Sequence, residues 1–170
     1  EDILVLKNNK GTEDNRVRKL DYSIQLSKLF YERFINNEDI TLFSPHEVPE
    51  LYEAWGTDEF DDLYLKAERK ISVKKTKVNA QELFFDMLKE RAETGRIYIM
   101  NIDHCNTHSS FKDRVYMSNL CQEITLPTDP VQHIDGDGEI ALCILSAINV
   151  GTIDKRDELE SLCDLAVRSL

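Results

Sequence analysis

The 170-residue sequence predicts an α/β fold in which a parallel sheet is covered by helices. Two segments, residues 96–102 and 139–150, are short, rich in β-forming residues and almost continuously apolar. Strands that are buried on both faces have this pattern, which is typical of parallel sheets. Helical patterns precede the first segment and follow the second. We therefore predict a helical region over 13–94, strands at 96–102 and 139–150, and a helix at 155–170.

Capping signals place the ends of the predicted helices. Asn79 precedes a strong helical pattern over residues 80–93, and Gly95 follows it. An asparagine side chain accepts hydrogen bonds from first-turn amides, and glycine takes the left-handed conformation that ends a helix. Pro49 divides an earlier segment into a turn and a short helix that runs to Trp55.

Composition argues against two classes of function. The chain carries 21 Lys and Arg against 32 Asp and Glu, which gives a net charge of −11. A general nucleic-acid binder needs a basic face that displaces counterions from phosphates, so the acidic balance argues against one. No apolar run approaches the ~20 residues that a membrane-spanning helix needs. With no signal-like leader in the sequence, we expect a cytoplasmic protein without a membrane span.

The connection between the two predicted strands, residues 103–138, is longer than the loops that join elements in a compact domain. Such loops are most often functional or disordered. Because its middle, residues 118–127, is too apolar for disorder, we predict a loop that packs into a site.

Alternating polar residues in this loop form a candidate catalytic group. In an extended conformation, Asn119, Cys121 and Glu123 lie on the same side of the backbone. That face offers an amide, a thiol that can act as a nucleophile or radical carrier, and a carboxylate that can act as a base. The same alternation is typical of an ordinary half-buried strand, so both interpretations stay open.

The four cysteines favour free thiols over a disulfide framework, since the sequence has no CxxC pair and no secretory leader. Cys143 lies in the second predicted strand, where simple packing as a small hydrophobe is the competing interpretation. Cys163 falls on the apolar stripe of the last helix, which favours a core role. A weaker alternative is a zinc site at His104, Cys105 and His108, against a polar loop at the end of a strand.

Six separated blocks, in order along essentially the whole chain, resemble the large (alpha) subunit of class I ribonucleoside-diphosphate reductase. They are residues 4–9, 16–22, 40–46, 94–108, 118–123 and 138–147. Gln122, inside one of these blocks, stands where the family pattern would carry an apolar residue.

The resemblance implies the central part of a ten-stranded α/β barrel, built from two five-stranded parallel halves, with residues 103–138 inserted as a finger loop. It implies that Cys121 is the thiyl-radical site that takes the ribose 3′-hydrogen, and that Glu123 is the base for the 3′-hydroxyl proton. Asn119 would bind the substrate hydroxyls together with Glu123. Cys143 would be one of two reducing thiols, with its partner cysteine outside this chain. The implied activity is reduction of ribonucleoside diphosphates to 2′-deoxyribonucleoside diphosphates.

The resemblance also implies partners. They are the remaining segments of the large subunit, a small (beta) subunit whose metal centre generates the radical, thioredoxin or glutaredoxin as reductant, and a second large subunit in a homodimer. It places ATP and dNTP effectors elsewhere in the full subunit and no cofactor or metal in this chain. Because the sequence opens on an apolar run and stops inside a helical pattern, we expect an incomplete segment. The competing hypothesis is a non-catalytic assembly piece of a split or truncated subunit.

Overall fold

The chain folds into a mixed α/β structure. The computed structural model describes Asp14, Val17 and residues 19–170. In chain order, the elements are β1 (Tyr22–Leu26), α1 (Lys28–Ile35), β2 (Asp39–Phe43), α2 (Pro49–Glu53), α3 (Phe60–Arg69), β3 (Lys75–Asn79), α4 (Ala80–Thr94), β4 (Ile97–Asn101), α5 (Ile102–Thr107) and α6 (Arg156–Arg168). These elements fall into two compact units, which divide after Asp129.

The longest helix, α4, begins and ends where the sequence predicts. The Oδ1 atom of Asn79 accepts hydrogen bonds from the amides of Gln81 and Glu82, at 3.0 and 3.1 Å. Gly95 ends the helix with φ of 67°, in the left-handed region that a residue with a Cβ avoids. No helix among the described residues is long and apolar enough to cross a bilayer.

The predicted parallel strand at 96–102 is confirmed as β4. It pairs in parallel with β1, in the register Tyr22 opposite Ile97 through Leu26 opposite Asn101. A second sheet consists of β2 and β3 in antiparallel pairing. The prediction that residues 13–94 are helical throughout is therefore wrong, because the region also contains β1, β2 and β3.

Short strands explain this error. In β1, three apolar side chains alternate with polar ones, and five residues are too few for period two to stand out from helical spacing. The predicted start at residue 13 lies outside the described residues. So do the block at residues 4–9 and positions 15, 16 and 18.

The core of the first unit lies between the strands and helices α1, α3 and α4. Its fully buried members include Ala67, Ala80 and Ile97, each 0% exposed. Phe34 and Phe84 stack edge to face with ring centroids 5.0 Å apart, which adds specific geometry to the apolar contact. The same unit contains a cavity of about 680 Å³, lined largely by apolar side chains of β1, β2 and the surrounding helices.

The predicted strand at 139–150 is wrong as secondary structure in this chain. Glu139 makes an isolated bridge, and residues 140–149 form neither helix nor strand. Ile140 and Leu145 are 72% and 81% exposed. The physical reason is that a strand exists only through a hydrogen-bonded neighbour, and none of the described strands pairs with this segment.

The last predicted helix, 155–170, is confirmed as α6, Arg156–Arg168. Its apolar stripe is not buried, since Leu162 and Leu170 are 37% and 51% exposed. Cys163 is exposed as well, so the core role predicted for this cysteine is wrong here. The helix pattern is correct, but the described residues of the chain cover the apolar face of the helix only in part, since Leu159 and Ala166 are half-buried.

Candidate active site

Helix α5 follows β4 directly, where the sequence predicted a polar loop. It carries His104 and Cys105, with His108 as its C-cap. The two imidazole rings lie 5.5 Å apart, and the Nδ1 atom of His108 lies 3.2 Å from the carbonyl oxygen of His104. Burial raises the pKa of the Cys105 thiol. No group of three or more His, Cys, Asp or Glu side chains that could hold a metal gathers among the described residues, so the zinc alternative gains no support.

The chain leaves α5 and returns to it at Val115. This residue is fully buried, and it packs with Met100 and Ile102 in a small core cluster. Its backbone N–H donates to the Oδ1 atom of Asn106 at 2.8 Å, and its carbonyl accepts from Nδ2 of the same side chain at 3.1 Å. The start of the loop that carries Cys121 is thus attached to α5 at both backbone groups of one residue.

Two further contacts attach the neighbouring residues. Arg114 donates from Nη1 to the carbonyl of Glu53 at 2.7 Å, and its guanidinium stacks on the Tyr116 ring at 4.0 Å. The carbonyl of Tyr116 accepts from Nε2 of Gln25 on β1 at 3.0 Å. Residues 114–116 are therefore held by β1, α5 and the end of α2, and we call them the loop root.

Beyond the loop root, Cys121 lies in a tight turn. The backbone N–H of Gln122 donates to the carbonyl of Asn119 at 3.1 Å, and Gln122 has φ of 67°. The Nε2 atom of Gln122 also donates to the Asn119 carbonyl, at 2.7 Å. The extended conformation predicted for residues 119–123 is therefore wrong, because the turn and a left-handed residue interrupt the alternation.

The three candidate side chains still lie at this one turn. Asn119 uses its Oδ1 atom inside the turn, where it accepts from the backbone N–H of Ile124 at 3.0 Å. Its Nδ2 group makes no hydrogen bond within the described part of the chain and can donate to a ligand. Cys121 and Glu123 are exposed, so both can be reached by a substrate.

Cys143 belongs to the second unit and is exposed. The burial predicted for it is wrong in this chain, since the segment around it has no strand neighbour among the described strands. The structure brings Asn119, Cys121 and Glu123 together in the first unit, and the redox role of Cys143 stays a prediction.

Sequence reasoning missed the residues that hold the loop root, chiefly Asn106 and Gln25. Asn106 was visible only as one polar residue in a predicted loop, and Gln25 as a polar position in a predicted helix. The signal that could have found Asn106 is its place just after a buried strand, where polar side chains often serve a site.

Comparison with known proteins identifies the family to which the chain belongs. The family model for the ribonucleotide reductase barrel domain matches residues 1–170. The ribonucleoside-diphosphate reductase subunit alpha of Haemophilus influenzae is 58% identical over 100% of the chain, which spans 23% of that protein's length. The subunit alpha of ribonucleoside-diphosphate reductase 1 of Escherichia coli is 57% identical over 77% of the chain and 18% of its own length. The large subunit of Arabidopsis thaliana is 40% identical over 86% of the chain and 17% of its length.

The chain spans about a quarter or less of the length of these relatives. The family model nevertheless matches residues 1–170, and the 58% identity with the Haemophilus influenzae protein is far above what a shared fold alone would need. The chain therefore belongs to the ribonucleotide reductase family, as a segment of the barrel domain of the large subunit.

Proposed function

We propose that this chain is the catalytic segment of a ribonucleoside-diphosphate reductase large subunit of class I, which makes 2′-deoxyribonucleoside diphosphates for DNA synthesis. The observation that carries the proposal is the turn that presents Asn119, Cys121 and Glu123 together, in a chain matched over its whole length by the family. An exposed thiol between an amide and a carboxylate offers the groups that radical reduction of a ribose requires.

The proposed roles follow from the chemistry of each group. Cys121, as a thiyl radical, takes the hydrogen atom from C3′ of the ribose, so that a C–H bond breaks and an S–H bond forms. Glu123 accepts the proton of the 3′-hydroxyl. Asn119 holds the substrate hydroxyls and does so as a donor through Nδ2, because its Oδ1 atom is engaged in the turn. Cys143 and a second thiol outside the chain supply two electrons and two protons and close into a disulfide; one proton leaves with the 2′-hydroxyl as water, and one hydrogen adds to C2′. The Cys121 S–H then returns its hydrogen to C3′, which restores the thiyl radical.

A radical site needs shelter from solvent, and Cys121 is exposed in this chain. We infer that the remaining segments of the large subunit complete a ten-stranded barrel around the loop at 103–138, with residues 139–150 as one of its strands. The exposed apolar side chains of 139–150 support this, since Ile140, Leu142 and Leu145 are each more than 70% exposed. Covering them would remove a large apolar surface from water.

The proposal includes the partners of the full subunit. A small (beta) subunit supplies the radical from its metal centre, and thioredoxin or glutaredoxin reduces the Cys143 disulfide. The complete large subunit forms a homodimer and binds ATP and dNTP effectors outside this segment. No metal or cofactor is assigned to the residues of this chain, and the cytoplasm is the proposed compartment.

A second candidate function is a non-catalytic piece that only completes a barrel assembled with other segments. The observation that favours it is the partly exposed apolar face of α6, where Leu162 and, just after the helix, Leu170 are 37% and 51% exposed. It predicts that the 170-residue chain alone has no reductase activity and gains it only with the flanking segments. Activity of the chain alone would contradict it.

The main test replaces Cys121 by serine in the full-length large subunit, assayed with its small subunit. Serine keeps the size of the side chain but cannot carry the radical, so we expect substrate to bind and no deoxynucleotide to form. Cys163→Ser is the matched control, since Cys163 is an exposed cysteine without an assigned role. Deoxynucleotide formation by Cys121→Ser at a rate near that of Cys163→Ser would contradict the proposed function.

A further inference from the structure

The loop root is the best-anchored part of the long connection around Cys121. Val115 has no exposed surface, and both of its backbone groups bond to the side chain of Asn106. Nδ2 of Asn106 also donates to the carbonyl of Ile102 at 3.2 Å. One amide side chain thus replaces the strand neighbour that the buried backbone of Val115 would otherwise need.

A second amide side chain holds the next residue. Gln25 donates from Nε2 to the carbonyl of Tyr116, and its Oε1 atom accepts from the indole N–H of Trp55 at 2.5 Å. Gln25 lies opposite Met100 in the parallel pair of β1 and β4. The contact therefore ties the loop root to the sheet, and Trp55 fixes which end of the Gln25 amide faces the loop.

The backbone beside Asn106 leaves room for this side chain. Gly56 has φ of +77°, and a Cβ there would lie 2.9 Å from Nδ2 of Asn106 and 2.7 Å from Cγ1 of Ile102. Any other residue at position 56 would be strained and would push against the Asn106 amide. Glycine at this position is thus explained by the close Asn106 side chain as well as by the positive φ.

The loop root is close in sequence to the Cys121 turn. Only Met117 separates Tyr116 from Ser118, whose hydroxyl donates to the carbonyl of Ile124 at 2.7 Å across the base of the turn. A shift of the loop root therefore moves one end of the turn directly, because the linking chain is too short to absorb it.

We propose that Asn106 is a positioning residue for Cys121, with Gln25 as a second, weaker support. This inference rests on the proposed function. Transfer of a hydrogen atom between sulfur and C3′ requires the two atoms to approach closely, and a misplacement of about 1 Å can lower the rate about 100-fold. The loss should appear in kcat more than in KM, because these two side chains act on the loop root and are assigned no contact with substrate.

The test uses Asn106→Asp in the full-length large subunit with its small subunit. Aspartate keeps the acceptor for the Val115 amide but loses the donor and places a carboxylate oxygen against two carbonyls. We expect kcat to fall by about 10- to 100-fold, with KM within about twofold. Hydrogen exchange in a peptide that spans residues 113–124 should become faster. Asn36→Asp, at an exposed helix end, is the matched control and should match the wild type in both measurements.

Gln25→Glu is the second variant, and it tests the same anchor if Asn106→Asp does not fold. It keeps the acceptor for Trp55 and loses the donor to Tyr116. We expect a smaller loss of kcat, about fivefold, again with little change in KM. Wild-type kcat in the folded variants, or a higher KM with unchanged kcat, would overturn the positioning role. If these variants have wild-type kcat while Cys121→Ser is inactive in the same assay, only the positioning role is overturned. Turnover by Cys121→Ser would overturn the proposed function itself.

Discussion

Two apolar segments with similar sequence patterns differ in structure in this chain: one is a buried strand, and the other is exposed and forms no strand. Strand β4 lies beside β1, and its residues Ile97 and Met100 are 0% and 2% exposed. The segment 139–150 has no neighbour among the strands that the structure describes, and its Ile140 and Leu145 are 72% and 81% exposed. The difference shows that an apolar run indicates a segment that is stabilised by burial. A strand forms only where a second segment supplies the hydrogen bonds.

The largest expected effect is the difference between the two segments in their contribution to the free energy of unfolding. In the 170-residue chain, Ile97→Ala should lower the free energy of unfolding by about 2–4 kcal/mol, because it opens a cavity in a closed core. Ile140→Ala removes the same atoms from an exposed site and should change the free energy of unfolding by less than about 0.5 kcal/mol. Urea denaturation followed by circular dichroism measures both.

The same pair in the full-length subunit sharpens the comparison. If residues 139–150 form a barrel strand there, Ile140→Ala should become destabilising by an amount close to that of Ile97→Ala. If both variants had equally small effects in the full-length protein, the inference that both segments are buried strands there would be contradicted.

The next effect concerns a buried hydroxyl. Tyr64 donates to the carbonyl of Thr41 at 2.7 Å and accepts from its amide at 2.6 Å. Tyr64→Phe leaves both groups unpaired at a residue that is 2% exposed, so we expect a loss of about 1–3 kcal/mol in the free energy of unfolding. Tyr52→Phe, at a side chain 74% exposed, is the control and should have no measurable effect.

Alkaline pH tests the same hydroxyl independently. Burial raises the pKa of Tyr64 to about 12, because the phenolate would lose its solvation. The unfolded chain ionises this group near pH 10, so stability should fall between about pH 10 and 12 in the wild type. Tyr64→Phe should show a smaller fall, and an identical decline in both proteins would argue against the buried hydroxyl.

The smallest effect compares one ion pair in each unit. Arg33 and Glu68 are 2.6 Å apart with side chains 14% and 16% exposed, whereas Arg168 and Asp164 are 3.3 Å apart and mostly exposed. Glu68→Gln should cost about 1 kcal/mol, since the amide oxygen can still accept from Arg33 and the amide N–H can donate to the hydroxyl oxygen of Thr41. Asp164→Asn should cost nothing measurable, because water screens the pair.

The pH dependence of Glu68 gives the sign of its contribution. Burial alone would raise the pKa of Glu68, but hydrogen bonds from Arg33 and Thr41 outweigh burial and hold the pKa below its ordinary value. As the pH falls below that ordinary value, the unfolded chain takes up the proton first and the wild type loses stability. Glu68→Gln should lose less over this range, and parallel curves would contradict the assignment.

Local signals predicted local structure well. The Asn79 cap and Gly95 stop of α4 were readable because each acts through neighbours within a few residues. Strand β1 was not readable, because its partner β4 lies far along the chain. The turn at Cys121 was missed because Gln122, a residue without a preference for positive φ, takes the left-handed conformation there.

The candidate site was predicted only in part. The alternation of Asn119, Cys121 and Glu123 singled out a loop in which these three residues do lie at one turn, although the predicted extended conformation is replaced by that turn. Their roles were implied by the family resemblance and not by the pattern. The anchor at Asn106 depends on a contact nine residues away with the backbone of Val115, which no sequence period encodes.

The most direct test of the reductase assignment is the oxidation state of Cys143 after a single turnover without external reductant. The full-length large and small subunits receive a ribonucleoside diphosphate, and each cysteine is then alkylated and identified by mass spectrometry. We predict that Cys143 becomes protected by a disulfide in the wild type and stays alkylatable in Cys121→Ser, while Cys163 is alkylated in both. Protection of Cys143 in Cys121→Ser, or deoxynucleotide formation with Cys143 still a thiol, would contradict the coupling of the two cysteines.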